Sequence, residues 1–277
     1  MSKIYDCFMF NGEFELLEIR LKTHWDVIDK FVIVEGDRTF RGQKKDYSLS
    51  RLPKDLLQYT NKIKPILFNI PVFKERDGAW LACALQRDSM IRGLDECNAD
   101  DLVIFSEADE ILRPEKIIEA RDLILSGAES VVLHQEMFCY YLNVKDLVPW
   151  NGPRMLKFDT ILKRRLSPQI IRTDECFDEK KSVRLMKSGW HFQNLGGAKR
   201  VVKKLKSSCH HELGNEKYSN LGIVSGKIKD LVEPLERDDH KLTAIKIDDT
   251  FPECVYKEQG RYQHLIFRAE ENYLKNE

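Results

Sequence analysis

The sequence lacks a net charge, because 45 lysines and arginines are balanced by 45 aspartates and glutamates. This balance excludes a global field that attracts nucleic acid or an anionic membrane surface, so any anion site must be local. The sequence also has no apolar run near the roughly 18 residues of a membrane-spanning helix, and no basic segment followed by an apolar stretch at its start. We therefore expect a cytoplasmic protein with no transmembrane segment and no nucleic-acid partner.

Cysteine pairs at metal-binding spacing are absent as well. The seven cysteines are odd in number, scattered and never arranged as CxxC. This pattern predicts neither a zinc knot nor a disulfide framework, and it indicates reduced thiols. The 277 residues, 42% of them hydrophobic, are enough to bury roughly three quarters of the unfolded surface, so a stable globular fold is expected.

Short apolar runs alternate with segments of helical periodicity in the first part of the chain. Residues 4–10 predict a buried strand, and Phe14, Leu17 and Leu21 then recur at helical spacing. The same patterns predict further strands at 31–34, 66–68 and 102–105, and helices at about 78–94 and from Pro114 onward. The alternation predicts an α/β fold of the Rossmann type, with a mostly parallel sheet flanked by helices.

The carboxyl ends of the predicted strands carry polar residues. Asn11 follows the first strand, Glu35 closes the second, and an acidic segment follows the strand at 102–105. Ligands of open α/β sheets bind outside the carboxyl ends of the strands, so these residues predict one shared site. Glu35 could bind a ribose or a base, although a glutamate at a strand end is as often only solvated.

The pattern changes near residue 128, after which apolar runs are interrupted by turns. We therefore expect two halves of a single domain, residues 1–127 and residues 128–277. In the second half, the lysine-rich stretch 199–206 keeps Val201, Val202 and Leu205 at helical spacing. This spacing predicts a basic amphipathic helix rather than a disordered tail.

The acidic segment Glu107-Ala108-Asp109-Glu110 follows an apolar strand directly. Hard divalent cations prefer oxygen ligands, and a carboxylate at a strand end can bind Mn²⁺ or Mg²⁺ while a diphosphate completes the coordination shell. An acidic turn before a helix is also common as N-terminal capping. The segment alone does not separate these two interpretations.

A second segment, Gly189-Trp190-His191-Phe192, is followed by Gly196-Gly197 and Lys199. His191 could supply a further metal ligand, Gly197 could let the backbone approach a phosphate, and Lys199 adds positive charge. The alternative is a core histidine beside a packed tryptophan, followed by a turn and a solvated helix. Together with the acidic segment, this segment favours a metal and diphosphate site.

Arg87 and Asp88 lie on the helix before the acidic segment. The Arg87 guanidinium could pair with a phosphate or with a carboxylate of the acidic segment. A surface ion pair is the competing explanation.

Several segments together resemble glycosyltransferase family 17, whose best-known members add bisecting N-acetylglucosamine to mannosyl glycoproteins. The N-terminal signature is found in residues 6–21, DCFMFNGEFELLEIRL, and residues 29–35, DKFVIVE. Further similarities are Gln86-Arg87-Asp88, residues 106–114, Gly189-Trp190-His191-Phe192 and a weaker Cys209-His210-His211-Glu212. The resemblance extends over most of the chain, in the order of the family.

The resemblance implies a GT-A-like fold and inverting transfer from a UDP-sugar to a glycan, with a divalent metal at a DxD-like element. The halves 1–127 and 128–277 would then bind the nucleotide sugar and the acceptor. The DxD position reads Glu107-x-Asp109 here, so the first carboxylate is one methylene longer. The donor sugar stays open, since N-acetylglucosamine follows from the family alone and xylose, glucose or galactose are alternatives.

These considerations assign roles to named residues. We expect Asp109, His191 and Glu110 at the metal, and Glu136 and Glu212 as candidates for the general base of an inverting reaction. The donor would contact the following residues: Asn11, Glu35, Arg87, Asp88, Glu107, Gly197, Lys199 and His210.

Two other functions use similar residues. A metal-dependent phosphohydrolase or nucleotidyltransferase could use the same acidic turn and basic helix. A non-catalytic glycan-binding module could instead stack sugars on the aromatic residues Tyr140, Tyr141, Trp150 and Trp190. A sugar linked to an acceptor would separate transfer from both alternatives.

Overall fold

The computed structural model describes residues 2–73, 77–172, 177–178 and 180–268. The strands are β1 Ile4–Phe10, β2 Lys30–Gly36, β3 Ile63–Phe68, β4 Leu102–Glu107, β5 Glu110–Leu112, β6 Ser130–Cys139, β7 Val144–Asp146, β8 Trp150–Lys157, β9 Ser182–Leu185, β10 Gly189–Gln193 and β11 Leu242–Ala244. The α-helices are α1 Phe14–His24, α2 Gly78–Asp88, α3 Pro114–Leu125, α4 Phe158–Arg164, α5 Pro168–Ile171, α6 Gly197–Ser207, α7 Glu216–Ser219, α8 Leu221–Lys229 and α9 Glu253–Lys257. Short 3-10 helices include Ser48–Arg51 and Ser89–Leu94.

Four parallel strands form the first part of the sheet, in the order β3-β2-β1-β4. Their side chains alternate between two apolar layers, as strand geometry requires. Phe8 and Ile104 pack with Leu17 of α1 and Ile117 of α3 on one face. The opposite face includes Cys7, Val103 and Phe105, which pack with Ala82 of α2 and with Met90. The sheet is therefore flanked by helices on both faces, and the expected α/β fold class is confirmed.

The second half extends the same sheet with strands of both directions. β8 pairs antiparallel with both β4 and β6, and β10 pairs parallel with β6 and antiparallel with β5. The expectation of a mostly parallel sheet therefore holds for β1 to β4 and is wrong for the second half. The apolar runs at 131–133 and 137–139 belong to one long strand, β6, whose pairing with β8 continues past a bulge between Val132 and His134.

The predicted helix at 78–94 ends earlier than expected. The α-helix stops at Asp88 and continues as the 3-10 helix Ser89–Leu94. None of the helices in the described part of the chain combines the length and the apolar character that a membrane crossing requires.

Candidate active site

A cavity of about 260 Å³ lies at the carboxyl ends of three parallel strands. Asn11 follows β1, Gly36 ends β2, and the acidic turn follows β4. β10 and the C-terminal part of α6 provide another wall. The lining residues are Met9, Phe10, Asn11, Glu13, Leu16, Gly36, Arg38, Thr39, Phe40, Lys45, Cys83, Gln86, Arg87, Glu107, Ala108, Asp109, His191, Gln193, Lys204, Ser207, Ser208 and Cys209. The site thus forms where open α/β sheets bind their ligands.

A buried arginine, Arg20, stabilises the backbone of the acidic turn. Arg20 is fully buried and donates hydrogen bonds of 2.6 and 2.8 Å to the carboxylate of Asp6. It also donates to Ser106 Oγ at 2.5 Å and to the carbonyl oxygens of Glu107 and Glu110 at 2.7 and 2.9 Å. The Arg20 guanidinium therefore fixes the backbone that carries the cavity carboxylates Glu107 and Asp109.

His24 completes this buried network. Its Nδ1 lies 3.1 Å from the Asp6 carboxylate, and its Nε2 lies 3.0 Å from the backbone nitrogen of Leu112. Burial favours the neutral acid of Asp6, but Arg20 and His24 outweigh it and hold its pKa well below the usual range. Burial lowers the pKa of His24, so this ring is neutral near pH 7. The sequence pattern contained a signal for this network, a charged residue within an otherwise apolar strand.

Asp109 and His191 meet in the cavity, as their separate segments predicted. The distance from His191 Nε2 to Asp109 Oδ1 is 3.6 Å, and Lys204 donates a 2.7 Å hydrogen bond to Oδ2. Burial disfavours the charged form of Asp109, but Lys204 and His191 hold its pKa well below the usual range. Asp109 is therefore an anion near neutral pH.

His191 reaches the cavity because neighbouring residues of a strand point to opposite faces. Its ring packs at 4.7 Å from that of Trp150, whereas Trp190 lies in an apolar cluster under the guanidinium of Arg113. The strand begins at Gly189, where an added Cβ would lie 2.1 Å from the carbonyl oxygen of Ile111. Glycine is therefore required for β10 to approach β5 so closely.

Glu107 and Arg87 form an ion pair in the cavity wall. The Arg87 Nη2 atom lies 2.6 Å from Glu107 Oε1, and Nη1 donates to the side chain of Gln169. Both side chains line the cavity, as predicted, but they contact each other. Arg87 therefore orients Glu107 and also presents a positive charge to the cavity.

Glu110 does not reach the cavity, and its assignment as a metal ligand is not supported by its position. Its side chain is fully buried, and Arg172 binds both carboxylate oxygens at 2.8 Å. Trp150 Nε1 donates a further 2.5 Å hydrogen bond, and the backbone nitrogen of Glu107 donates another. With both oxygens already occupied, this carboxylate stabilises the turn.

Glu35 is similarly engaged within the protein. Its carboxylate is fully buried, accepts hydrogen bonds of 2.8 Å from the backbone nitrogens of Ser48 and Leu49, and pairs with Lys45. The Glu35 carboxylate therefore binds the backbone at Ser48 and Leu49, and it is not free for the predicted contact with a ribose or base. Lys45, which the sequence reasoning missed, lines the cavity instead.

Two residues expected at the diphosphate lie elsewhere. Lys199 is exposed and does not line the cavity, whereas Lys204 on the same helix does. Gly197 has a φ of +78°, and an added Cβ would lie 3.1 Å from the Tyr141 hydroxyl. This glycine serves the left-handed turn that starts α6, which explains the motif without a phosphate.

Asp88 and His210 also lie outside the cavity lining. Asp88 accepts a 2.8 Å hydrogen bond from the backbone nitrogen of Gln169, so it orients the start of α5. The His210 ring makes an edge contact with Trp80 at 4.5 Å between centroids. The cavity is lined instead by the residues just before His210, Ser208 and Cys209.

The two predicted general bases have different outcomes. Glu136 is paired with Arg113 at 2.8 Å and Lys145 at 2.6 Å, and it does not line the cavity. Burial opposes its ionisation, but these two cations lower its pKa, which makes it a weak base. The side chain of Glu212 lies outside the described residues.

Glu13, which the sequence reasoning did not select, lies at the junction of two cavities. A second cavity of about 390 Å³ shares Asn11, Glu13, Leu16, Lys204 and Ser207 with the first. The Glu13 carboxylate accepts a 2.7 Å hydrogen bond from the backbone nitrogen of Asn11. Burial raises its pKa above the usual value. Its position directly after the signature Asn11-Gly12 could have suggested it.

The aromatic residues proposed for a glycan-binding platform are mostly internal. Tyr140, Tyr141 and Trp190 are 0%, 7% and 3% exposed and belong to apolar clusters. Trp150 packs against His191. These four side chains therefore do not form a flat exposed surface for sugar stacking.

Among the described residues, no group of three or more histidine, cysteine, aspartate or glutamate side chains is arranged to hold a metal ion. Asp109 Oδ1 and His191 Nε2 provide two donors, one oxygen and one nitrogen, 3.6 Å apart. This pair is compatible with a divalent cation whose other ligands come from water or a diphosphate. The protein alone offers an incomplete coordination shell.

Comparison with known proteins gives a family and low-identity structural similarities. The model of the family described as glycosyltransferase family 17 matches residues 1–148. No curated protein matches the chain. Among solved structures, it is similar to a UDP-glucose pyrophosphorylase complexed with UDP-glucose, with 14% identity over 57% of this chain and 77% of the other and a TM-score of 0.30. It is also similar to the 4-diphosphocytidyl-2C-methyl-D-erythritolsynthase of Anaerococcus prevotii DSM 20548, with 14% identity over 68% and 90% and a TM-score of 0.36.

The family match includes β1, the acidic turn and the helices that flank them. It covers more than half of the 277 residues. The chain therefore belongs to glycosyltransferase family 17 and is a glycosyltransferase.

Proposed function

We propose that this protein transfers a sugar from a UDP-sugar to a hydroxyl group of a glycan, with inversion at the anomeric carbon. The observation that carries the proposal is the cavity at the carboxyl ends of β1, β2 and β4, in which the carboxylate of Asp109 lies between the cation Lys204 and the ring of His191. Such a mixture of charges suits a diphosphate that must be bound and then released.

The uridine would occupy the part of the cavity that follows β2. Phe40 offers an aromatic face, and Arg38 and Thr39 offer hydrogen-bond donors beside it. The diphosphate would lie toward Arg87 and Lys204, whose positive charges stabilise the leaving UDP.

A divalent cation, Mn²⁺ or Mg²⁺, would be held by Asp109 and His191. When bound, it supplies further positive charge to the departing diphosphate. Lys204 binds the other Asp109 oxygen and keeps the carboxylate ionised and oriented. Glu107 keeps Arg87 oriented through their ion pair.

Glu13 is the proposed general base, in place of Glu136. It faces both the donor cavity and the adjoining cavity, where an acceptor glycan would lie. In this reaction the acceptor hydroxyl oxygen forms a bond to the anomeric carbon as the bond to the diphosphate breaks. The hydroxyl proton passes to the Glu13 carboxylate, and UDP leaves with the bonding electrons. Burial raises the pKa of Glu13 and so makes it a stronger base.

The test has two parts. A panel of UDP-sugars carrying N-acetylglucosamine, glucose, galactose or xylose is incubated with glycan acceptors and Mn²⁺, and the product linkage is determined by NMR. We expect a new glycosidic bond of inverted configuration. Free phosphate or a joined nucleotide without glycoside would support the phosphohydrolase or nucleotidyltransferase alternative. Thermal unfolding with UDP should show a rise in Tm with Mn²⁺ and a smaller rise with a chelator, because a ligand of the native state stabilises it.

A further inference from the structure

Two cysteines meet in the wall of the cavity. Cys83 lies on α2 and Cys209 follows α6, so they are distant in sequence, and both line the cavity. Both thiols are free, and the two side chains lie close enough to interact with each other. The two residues are 4% and 8% exposed, and the surface that each retains adjoins a cavity large enough for a small molecule such as peroxide.

The surroundings of the pair favour a reactive thiolate at one of the two sulfurs. Arg87 Nη2 lies 3.7 Å from Cys83 Sγ. The hydrogen bond from Cys209 and the charge of Arg87 lower the pKa of Cys83 although burial opposes this change. A cysteine beside a cation and a second thiol is the arrangement in which thiolate reactivity increases.

The other described cysteines lack this combination. Cys7 and Cys139 are 0% and 1% exposed in the apolar core, and burial raises the pKa of both. Burial also raises the pKa of Cys97, to about 12, and that of Cys254. Among the described cysteines, the pair of Cys83 and Cys209 is therefore the one whose surroundings favour oxidation.

We propose that Cys83 and Cys209 form a peroxide-sensitive thiol pair, which closes to a disulfide across the wall of the cavity. The Cys83 thiolate attacks hydrogen peroxide, its sulfur bonds to one oxygen as the O–O bond breaks, and the other oxygen leaves as hydroxide and takes a proton to become water. The Cys209 sulfur then attacks the Cys83 sulfenic acid and forms the S–S bond. The sulfenic hydroxyl leaves with the Cys209 proton as a second water. The two sulfurs supply the two electrons that reduce the peroxide.

This reaction links redox state to the site because Cys83 and Arg87 share one turn of α2. Closing the disulfide removes the Cys83 sulfur as a partner of Arg87 and ties α2 to the segment after α6. If the cavity binds UDP as proposed above, the oxidised protein therefore binds UDP more weakly than the reduced protein.

The chemistry is tested without any assay of transfer. The intact reduced protein is treated with hydrogen peroxide at neutral pH, remaining thiols are alkylated, and peptides are mapped by mass spectrometry. We expect a loss of two hydrogen atoms, one crosslinked peptide pair containing Cys83 and Cys209, and reversal by dithiothreitol. Cys83→Ser and Cys209→Ser should each abolish the crosslink, whereas Cys97→Ser should retain it.

Other oxidation products would overturn the proposal. These are a crosslink to Cys176 or another cysteine, or conversion of Cys83 to sulfinic acid without a crosslink at the same peroxide dose. Peptide mapping of the wild-type protein decides this even if a serine variant misfolds. UDP titration of the oxidised and reduced forms is a separate measurement. Equal affinities would remove the link to the site, and absence of UDP binding by both forms would count against the proposed function and leave the thiol chemistry standing.

Discussion

Lys204 donates a 2.7 Å hydrogen bond to Oδ2 of Asp109, and this ion pair joins the basic helix α6 to the acidic turn after β4. The Lys204 side chain is 44% exposed and lines the cavity, where a ligand can contact it. The pair places a positive charge beside Asp109, in a cavity that Arg38, Lys45 and Arg87 also line. It also leaves Oδ1 of Asp109 facing His191.

The first prediction compares two lysines of the same helix. Lys204→Met should weaken UDP binding by roughly 10- to 150-fold, since a charge-assisted hydrogen bond to a diphosphate contributes roughly 1.5–3 kcal/mol. Lys199→Met should leave the affinity nearly unchanged, because Lys199 is exposed outside the cavity. Isothermal titration of UDP in the presence of Mn²⁺ measures both variants. Equal losses would indicate that the net charge of the helix matters rather than the position of Lys204.

The second prediction concerns the metal. Asp109→Asn keeps the size of the side chain and removes the charge that attracts Mn²⁺, so metal-dependent UDP binding and transfer should both collapse. The fold should remain, because the turn is held by Arg20 through the backbone and not through the Asp109 side chain. Mn²⁺ titrations and thermal unfolding of the variant provide the measurement. Sugar transfer at the wild-type rate would overturn the mechanism.

His191→Ala separates two roles of this ring in a third prediction. If His191 binds the metal, the variant should weaken Mn²⁺ binding, but less than Asp109→Asn does, because water can replace one neutral ligand. The ring also packs on Trp150, so some loss of Tm is expected from the vacated space. A variant that loses stability and keeps normal Mn²⁺ affinity would refute the ligand assignment.

The sequence predicted the parts of the site that lie directly at strand ends. The strand at residues 4–10, the acidic turn and the approach of His191 to Asp109 all follow from local patterns and from the geometry of α/β sheets. Glu110 and Glu136 show what such patterns leave undetermined. Each is a carboxylate on a strand near the cavity, but both are already paired within the protein. Arg172 binds Glu110, and Arg113 and Lys145 bind Glu136.

These partners come from segments distant in sequence, and no local pattern connects them. The choice of Lys204 over Lys199 depends on the rotation of α6, which is set by burial of Val201 and Leu205. Helical spacing predicted the buried stripe, but the position of the helix relative to the acidic turn required the tertiary structure.

The fourth prediction tests the base. Glu13→Gln should lower kcat strongly, by roughly 100-fold or more, with little change in UDP affinity, because it removes proton abstraction and keeps a similar shape. Glu136→Gln should have a small effect, since Glu136 lies outside the cavity with both oxygens paired. Steady-state kinetics with a fixed acceptor, together with UDP titrations, measure the two variants. Wild-type turnover in Glu13→Gln would exclude it and leave Glu212 as the candidate to examine next.

The last prediction is the pH dependence of stability, which the buried network of Asp6 and His24 determines. Burial lowers the pKa of His24 below its usual value of 6.5, so the unfolded chain binds a proton at higher pH than the folded protein does. Below about pH 6.5 the unfolded state therefore binds more protons, and the free energy of unfolding should fall as the pH is lowered, by up to about 1.4 kcal/mol per pH unit for one such group. Asp6 does not contribute in this window. Its pKa is lowered in the folded protein and ordinary in the unfolded chain, so it is charged in both states until the pH falls to about 4.

The free energy of unfolding, measured with denaturant between pH 7.5 and 5, should therefore depend less steeply on pH in His24→Gln than in the wild type. His134 has a lowered pKa for the same reason, so His134→Gln is the matched control and should keep the His24 contribution. A slope in His24→Gln equal to that of the wild type would show that folding does not lower the pKa of His24, and it would contradict this prediction.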